Sequence, residues 1–194
     1  MIHYIFGYGS LIDTQNRSLT LPHIKEVFPL RVQGLQREWN VPSILRSFTV
    51  LGVRPCAGAS CTGIIFPVSD LELEELDVRE QKYDRIELAH DAIEGYSGKE
   101  ISGAVYTYIP QFPQQVNREY PLAQTYLDIV LRGCLEFGDG FARDFIQTTK
   151  GWSEYWVNDR MTPRMRKMAG NSELEQRIDR MLAEQLPAYF SQRI

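Results

Sequence analysis

The order of strand-like and helix-like segments constrains the fold of this 194-residue chain most strongly. Short apolar or alternating segments, separated by glycine and proline, dominate roughly the first 110 residues. Apolar residues at helical spacing dominate the remainder. Because strands and helices do not alternate regularly, the pattern disfavours a doubly wound parallel sheet and predicts an α+β fold.

The predicted strands cover residues 2–7, 25–41, 48–53, 61–68, 85–94 and 100–109. Residues 54–60, with glycine and proline, are interpreted as the turn between the third and fourth strands. Gly95 to Gly98 is interpreted as the turn of a later hairpin. Ser69 and Glu72 fit a capping box and predict a helix start. Further predicted helices cover residues 120–137, with Pro121 in the first turn, residues 139–148, and residues 172–186.

Composition excludes several classes of function. Acidic residues outnumber Lys and Arg by 25 to 21, and the net charge of −4 argues against nucleic acid or an anionic membrane as partner. No signal-peptide pattern or membrane-length apolar segment is evident, so a cytoplasmic protein is expected.

Cys56, Cys61 and Cys134 are predicted to be free thiols, although the first two could meet across a hairpin. The scattered histidines do not predict a metal site.

Gly7-Tyr8-Gly9-Ser10, at the end of the first strand, is the first candidate for chemistry. Two glycines let the backbone turn sharply and approach another molecule closely. Successive amides in such a turn can bind a carboxylate or a developing oxyanion. A glycine-rich turn without a ligand explains the same spacing equally well.

Glu80 is the second candidate. Leu73, Leu76 and Glu80 share one row of the predicted helix, so Glu80 faces the core if the leucines do. Burial raises the pKa of a carboxyl group, and a raised pKa suits a general acid–base near neutral pH. A salt bridge from Glu80 to Arg79 or Arg85, or exposure at a frayed helix end, is the competing interpretation.

The segments FGYGSL (residues 6–11) and LDVREQKYDR (residues 76–85) together resemble motifs of the gamma-glutamylcyclotransferase family. The intervening FTVLGVRPCAGASCTGIIFPVS is similar to the family's strand–turn–strand unit. The resemblance covers roughly residues 3 to 110. It implies one domain over residues 1–194, with a small mixed β-barrel in residues 1–110 and a mainly helical extension in residues 111–194. No role follows for Asn158-Asp159-Arg160.

The resemblance also implies site residues. Glu80 corresponds to the family's acid–base glutamate. The substrate-binding residues would be Tyr8, Gly9, Ser10, Leu11, Tyr83 and, as a weaker match, Tyr106. Gln81 departs from the family pattern, in which many members have glycine at that position.

Members of this family release 5-oxoproline from gamma-glutamyl compounds without a cofactor or metal. The resemblance therefore implies a small gamma-glutamyl substrate, whose α-amine closes a ring on its own γ-carbonyl while Glu80 transfers the proton. It leaves open which amino acid, peptide or amine departs, and it does not indicate an oligomeric state. A non-catalytic binding module with the same pocket is the alternative.

Overall fold

The computed structural model describes residues 2–95, 101–165 and 172–194, and a mixed sheet with helices packed against it forms its framework. The strands are β1 (Ile2–Gly7), β2 (Phe28–Ser43), β3 (Phe48–Ser69), β4 (Tyr83–Leu88), β5 (Ile93–Glu94), β6 (Val105–Pro110), β7 (Leu122–Ala123) and β8 (Trp156–Val157). The helices are α1 (Thr14–Thr20), α2 (Asp70–Arg79), α3 (Gln124–Glu136), α4 (Asp139–Thr148), α5 (Ser172–Gln185) and α6 (Pro187–Phe190). The predicted α+β class is confirmed.

The strands follow the order β4-β6-β1-β3-β2-β5, with β7 joining β3 and β8 joining β7. β1 is antiparallel to β3 and parallel to β6, which places it in the middle of the sheet. No pairing among the described residues joins β4 to β5 or β2, so the sheet is open and the expected barrel is not confirmed. A barrel needs matched strand tilt and stagger around the whole ring, whereas β5 contributes only two residue pairs, both with β2.

The predicted turn at residues 54–60 is wrong, because these residues belong to one 22-residue strand, β3. Both halves of β3 pair with β2 in the same antiparallel sense, so they cannot form a hairpin with each other. The register jumps from Gln33 opposite Ser60 to Leu35 opposite Pro55, and the extra β3 residues form a bulge. Gly34 and Gly58 have φ of 78° and 77° there, a backbone conformation that favours glycine.

The cysteine prediction is confirmed, since Cys56, Cys61 and Cys134 are free thiols. Because β3 is continuous, the hairpin across which Cys56 and Cys61 could have met does not exist.

The later hairpin is only partly as predicted. β4 pairs antiparallel with β6, as the prediction requires, but β5 pairs with β2 and not with β6. Of the predicted turn, Gly95 has φ of 74°, and residues 96–98 lie outside the described residues.

Helix α2 begins as predicted. Ser69 Oγ accepts a hydrogen bond from the Glu72 amide, and the Glu72 carboxylate accepts one from the Ser69 amide. Helix α4 has the predicted bounds.

Helix α3 begins at Gln124 rather than residue 120, because Leu122 and Ala123 pair with Trp156 and Val157 as strand. Pro121 therefore precedes the helix by three residues. No helix among the described residues is both long and apolar enough to cross a bilayer.

Candidate active site

The loop after β1 is held through its carbonyl oxygens. Tyr8 O faces the Arg37 guanidinium at 3.4 Å, Gly9 O accepts from the Ile12 amide at 2.9 Å, and Ser10 O accepts from Asn16 Nδ2 at 3.0 Å. The carbonyl and N–H of a trans peptide point in opposite directions. In each of these three peptides, the N–H belongs to the next residue and therefore points away from the group that contacts the carbonyl oxygen. In the described part of the chain, the Gly9 N–H donates to no protein acceptor.

Asp13 anchors the same loop to α3. Its side chain is fully buried, accepts two hydrogen bonds from Arg132 at 2.5 and 2.6 Å, and caps α1 through the Asn16 amide. Gly133 permits this close approach, since a Cβ there would lie 2.4 Å from the Asp13 nitrogen. The loop is thus fixed between β1, α1 and α3.

Glu80 caps the C-terminal end of α2, where its amide donates to the Leu76 carbonyl at 2.8 Å. Leu73 and Leu76 are buried as the spacing predicts, and the Glu80 side chain is only 20% exposed. Burial raises the pKa of Glu80, and the charge of Arg79 partly opposes that rise. Arg79 Nε lies 3.3 Å from Glu80 Oε1, whereas Arg85 pairs with Asp77.

The loop and the end of α2 meet at one cavity of about 290 Å³. Six of the residues predicted for the site line it: Tyr8, Gly9, Ser10, Leu11, Glu80 and Tyr83. Tyr106 does not. Its ring packs against His3, with the Arg85 guanidinium 4.8 Å from the ring centroid.

Tyr108 and Tyr126 line the cavity and were missed by sequence reasoning. Tyr108 lies two residues from Tyr106 on the same face of β6, so strand alternation could have included it. Its carbonyl accepts a hydrogen bond from the Tyr8 hydroxyl at 2.7 Å. Tyr126 comes from α3, and no local signal linked that helix to the loop. A Cβ on Gly9 would lie 3.3 Å from the Tyr126 hydroxyl oxygen.

Arg46 and Met165 also line the cavity, and their side chains contact each other. Arg46 comes from the short turn between β2 and β3, and Met165 from the segment before α5. Both lie far in sequence from the two motifs, so only the folded chain brings them to the site.

The tyrosine hydroxyls in the cavity stay protonated at neutral pH. Burial raises the pKa of Tyr126 to about 12, although hydrogen bonds from Ser10 and Leu51 act in the opposite direction. Burial likewise raises the pKa of Tyr8 and of Tyr83. Among these groups, Glu80 is the one whose ordinary pKa lies below neutral pH, and burial raises it. Within the described ranges, no three His, Cys, Asp or Glu side chains form a metal-binding cluster.

The fold matches known structures. A solved structure named "Gamma-glutamyl cyclotransferase" aligns with a TM-score of 0.60 and 18% identity, over 93% of this chain and 99% of its own. The uncharacterized protein loc79017 from Homo sapiens aligns with the same TM-score and identity, over 91% and 98%. YkqA from Bacillus subtilis aligns with a TM-score of 0.56 and 17% identity, over 77% of this chain and 56% of its own. No curated protein sequence matches significantly.

The family comparison covers most of the chain. Residues 5–127 match the model of the family described as "Gamma-glutamyl cyclotransferase, AIG2-like", and this range includes the loop after β1, Glu80 and the first turn of α3. The chain therefore belongs to the gamma-glutamyl cyclotransferase, AIG2-like family.

Proposed function

We propose that this protein is a gamma-glutamyl cyclotransferase that uses Glu80 as general acid–base. The observation that carries the proposal is the shared cavity, which is lined both by a mostly buried carboxylate with a raised pKa and by the glycine-containing loop after β1. Family membership supports the reaction class.

A gamma-glutamyl group carries its own nucleophile, so the protein has little covalent chemistry to perform. The α-amine attacks the γ-carbonyl carbon and closes a five-membered ring, which makes the reaction intramolecular. Glu80 accepts a proton from the amine and returns it to the nitrogen that leaves. The C–N bond to the leaving group then breaks, and 5-oxoproline and a free amine are the products.

Hydrogen-bond donors at the cavity suit the anionic oxygens of the substrate. The Gly9 amide and the hydroxyls of Tyr83 and Tyr126 are donors that suit a carboxylate or a developing oxyanion. The guanidinium groups of Arg46 and Arg79 add positive charge at the cavity. No step in this scheme requires a metal or cofactor.

The test incubates the purified protein with gamma-glutamyl amino acids, peptides and amines and quantifies 5-oxoproline by mass spectrometry. We expect release from at least one member of the panel. Tight binding of one member without release of 5-oxoproline would favour the alternative, a binding module that keeps the cavity. The Arg79–Glu80 ion pair supports that alternative, because it gives Glu80 a structural role as well.

A further inference from the structure

Arg37 is a buried cation without a carboxylate beside it. Its side chain is fully buried in β2, and no carboxylate of the described residues lies within ion-pair distance. Asp144, whose carboxylate acts on Arg37 from a greater distance, is already paired with Arg31 at 2.6 Å. Burial lowers the pKa of the Arg37 guanidinium, yet arginine keeps its charge in proteins. Burying an unpaired charge is costly, so a function for Arg37 is expected.

The guanidinium joins three parts of the fold. It donates to Thr62 O of β3 at 2.5 Å, to Phe145 O of α4 at 3.1 Å and to Thr149 Oγ1 at 2.8 Å. It also stacks on the Phe145 ring, 3.6 Å from the centroid. These contacts satisfy its donors and hold it rigidly, so its position is set by the core rather than by the cavity.

One face of this rigid cation meets the active-site loop, where Nη1 lies 3.4 Å from Tyr8 O. The distance is long for a hydrogen bond, but a charge at this range still orients a carbonyl dipole in a buried environment. With Tyr8 O directed to Arg37, the N–H of the same peptide, which belongs to Gly9, points the opposite way. Gly9 lines the cavity, and its N–H has no acceptor among the described residues.

We infer that Arg37 is a positioning residue that holds the Tyr8–Gly9 peptide with its N–H toward the cavity, ready to bind an anionic oxygen of the substrate. This inference rests on the proposed function, because that reaction supplies the anionic oxygen. The oxygen is either the substrate carboxylate or the oxyanion that forms at the γ-carbonyl. Arg37 touches neither and acts through the peptide.

The test compares Arg37→Met with Thr149→Val as matched control. The control removes one Arg37 contact at α4 and leaves the contact to Tyr8 O in place. Initial rates with γ-glutamylalanine are measured well below the melting temperature of each variant. We expect kcat/KM of Arg37→Met to fall by about 10²-fold, the typical loss for one oxyanion donor, and that of Thr149→Val to change little.

The separate changes in kcat and KM identify which substrate oxygen the Gly9 N–H binds. A fall in kcat at constant KM indicates the oxyanion, and a rise in KM indicates the substrate carboxylate. Wild-type kcat/KM in folded Arg37→Met would overturn the inference and leave the cyclotransferase proposal intact. An equal loss in Thr149→Val would overturn it too, because a structural role would then suffice.

Two further measurements keep the inference testable. If Arg37→Met does not fold, Arg37→Gln removes the charge but keeps a side-chain donor, and the Gly9 amide resonance is followed by NMR during titration with 5-oxoproline. We expect a large shift in wild type and a smaller one in the variant, and equal shifts would overturn the inference. If wild type releases no 5-oxoproline, the proposed function fails, and the binding of γ-glutamylalanine is then measured by calorimetry. Equal or absent binding in wild type and Arg37→Met overturns the inference, whereas weaker binding in the variant supports it.

Discussion

Glu80 is the residue whose chemistry can be isolated most directly. Glu80→Gln keeps the size of the side chain but cannot accept a proton near neutral pH. General acid–base catalysis contributes about 10²–10⁴-fold, so we expect kcat for 5-oxoproline release to fall by that factor while substrate affinity changes much less. Stopped-time assays by mass spectrometry and calorimetric binding measure the two effects. Turnover at the wild-type rate by the folded variant would exclude Glu80 as the base.

The stability of Glu80→Gln should depend on pH in a defined direction. Because burial raises the pKa of Glu80, the folded protein holds a proton that the unfolded chain releases between the two pKa values. The stabilisation by this proton is fully present below the unfolded pKa of about 4.3 and is lost as the pH rises through the folded pKa. We therefore expect the variant to gain stability relative to wild type as the pH rises through this window, measured by urea unfolding at several pH values. A variant that loses stability at neutral pH would indicate a structural salt bridge instead.

The charge of Arg79 acts on the pKa of Glu80. The guanidinium lies 3.3 Å from the carboxylate and lowers its pKa against the effect of burial. In Arg79→Gln the pKa of Glu80 should rise, and the acid limb of the kcat/KM profile should move to higher pH. Arg85→Gln is the control, because Arg85 pairs with Asp77 and lies outside the cavity lining. Equal shifts in both variants would contradict a direct effect of Arg79.

At the scale of an element, the capping box stabilises the first turn of α2, the helix that Glu80 follows. Ser69→Ala removes the acceptor for the Glu72 amide at the first turn. We expect a loss of about 0.5–2 kcal/mol in the free energy of unfolding, measured by urea denaturation. Ser18→Ala in α1 is the matched control, since its hydroxyl only donates back to the Thr14 carbonyl and its loss should cost little. Similar losses in both variants would argue against a specific capping effect.

At the scale of the whole molecule, an ion cluster ties the C-terminal helices to α3. Arg160 donates to both carboxylate oxygens of Asp128 at 2.7 Å and to those of Asp179 at 2.9 Å. Asp128 is nearly inaccessible, so Arg160→Met would leave a buried charge uncompensated. We expect a loss of about 3–5 kcal/mol in the free energy of unfolding.

Arg143, which pairs with Glu184 at the surface, is the control for this prediction. Arg143→Met should cost at most about 1 kcal/mol, because solvent screens an exposed pair. Adding Asp128→Asn to Arg160→Met should recover part of the loss by removing the unpaired charge. Urea unfolding of wild type, Arg143→Met, Arg160→Met, Asp128→Asn and the double variant measures these effects, and additive losses in the double variant would contradict direct coupling of Arg160 and Asp128.

The sequence by itself determined the features that depend on near neighbours. The α+β class, strand β1, the capping box of Ser69 and Glu72 and the bounds of α4 follow from patterns within a few residues. The row of Leu73, Leu76 and Glu80 likewise placed the carboxyl group on the buried face. Local backbone propensity and side-chain spacing control such features, so they are readable without a tertiary structure.

Only the tertiary structure decided the features that depend on strand partners and distant contacts. Residues 54–60 look like a turn, but β3 continues through them and carries the unpaired residues as a bulge opposite β2. The sheet stays open because β4 and β5, at its two ends, do not pair with each other. Tyr126 and Met165 reach the cavity from separate parts of the chain, whereas Tyr106 does not line it and packs against His3. Such placements depend on long-range packing, because the contacts that fix them join residues far apart in sequence and leave no local pattern.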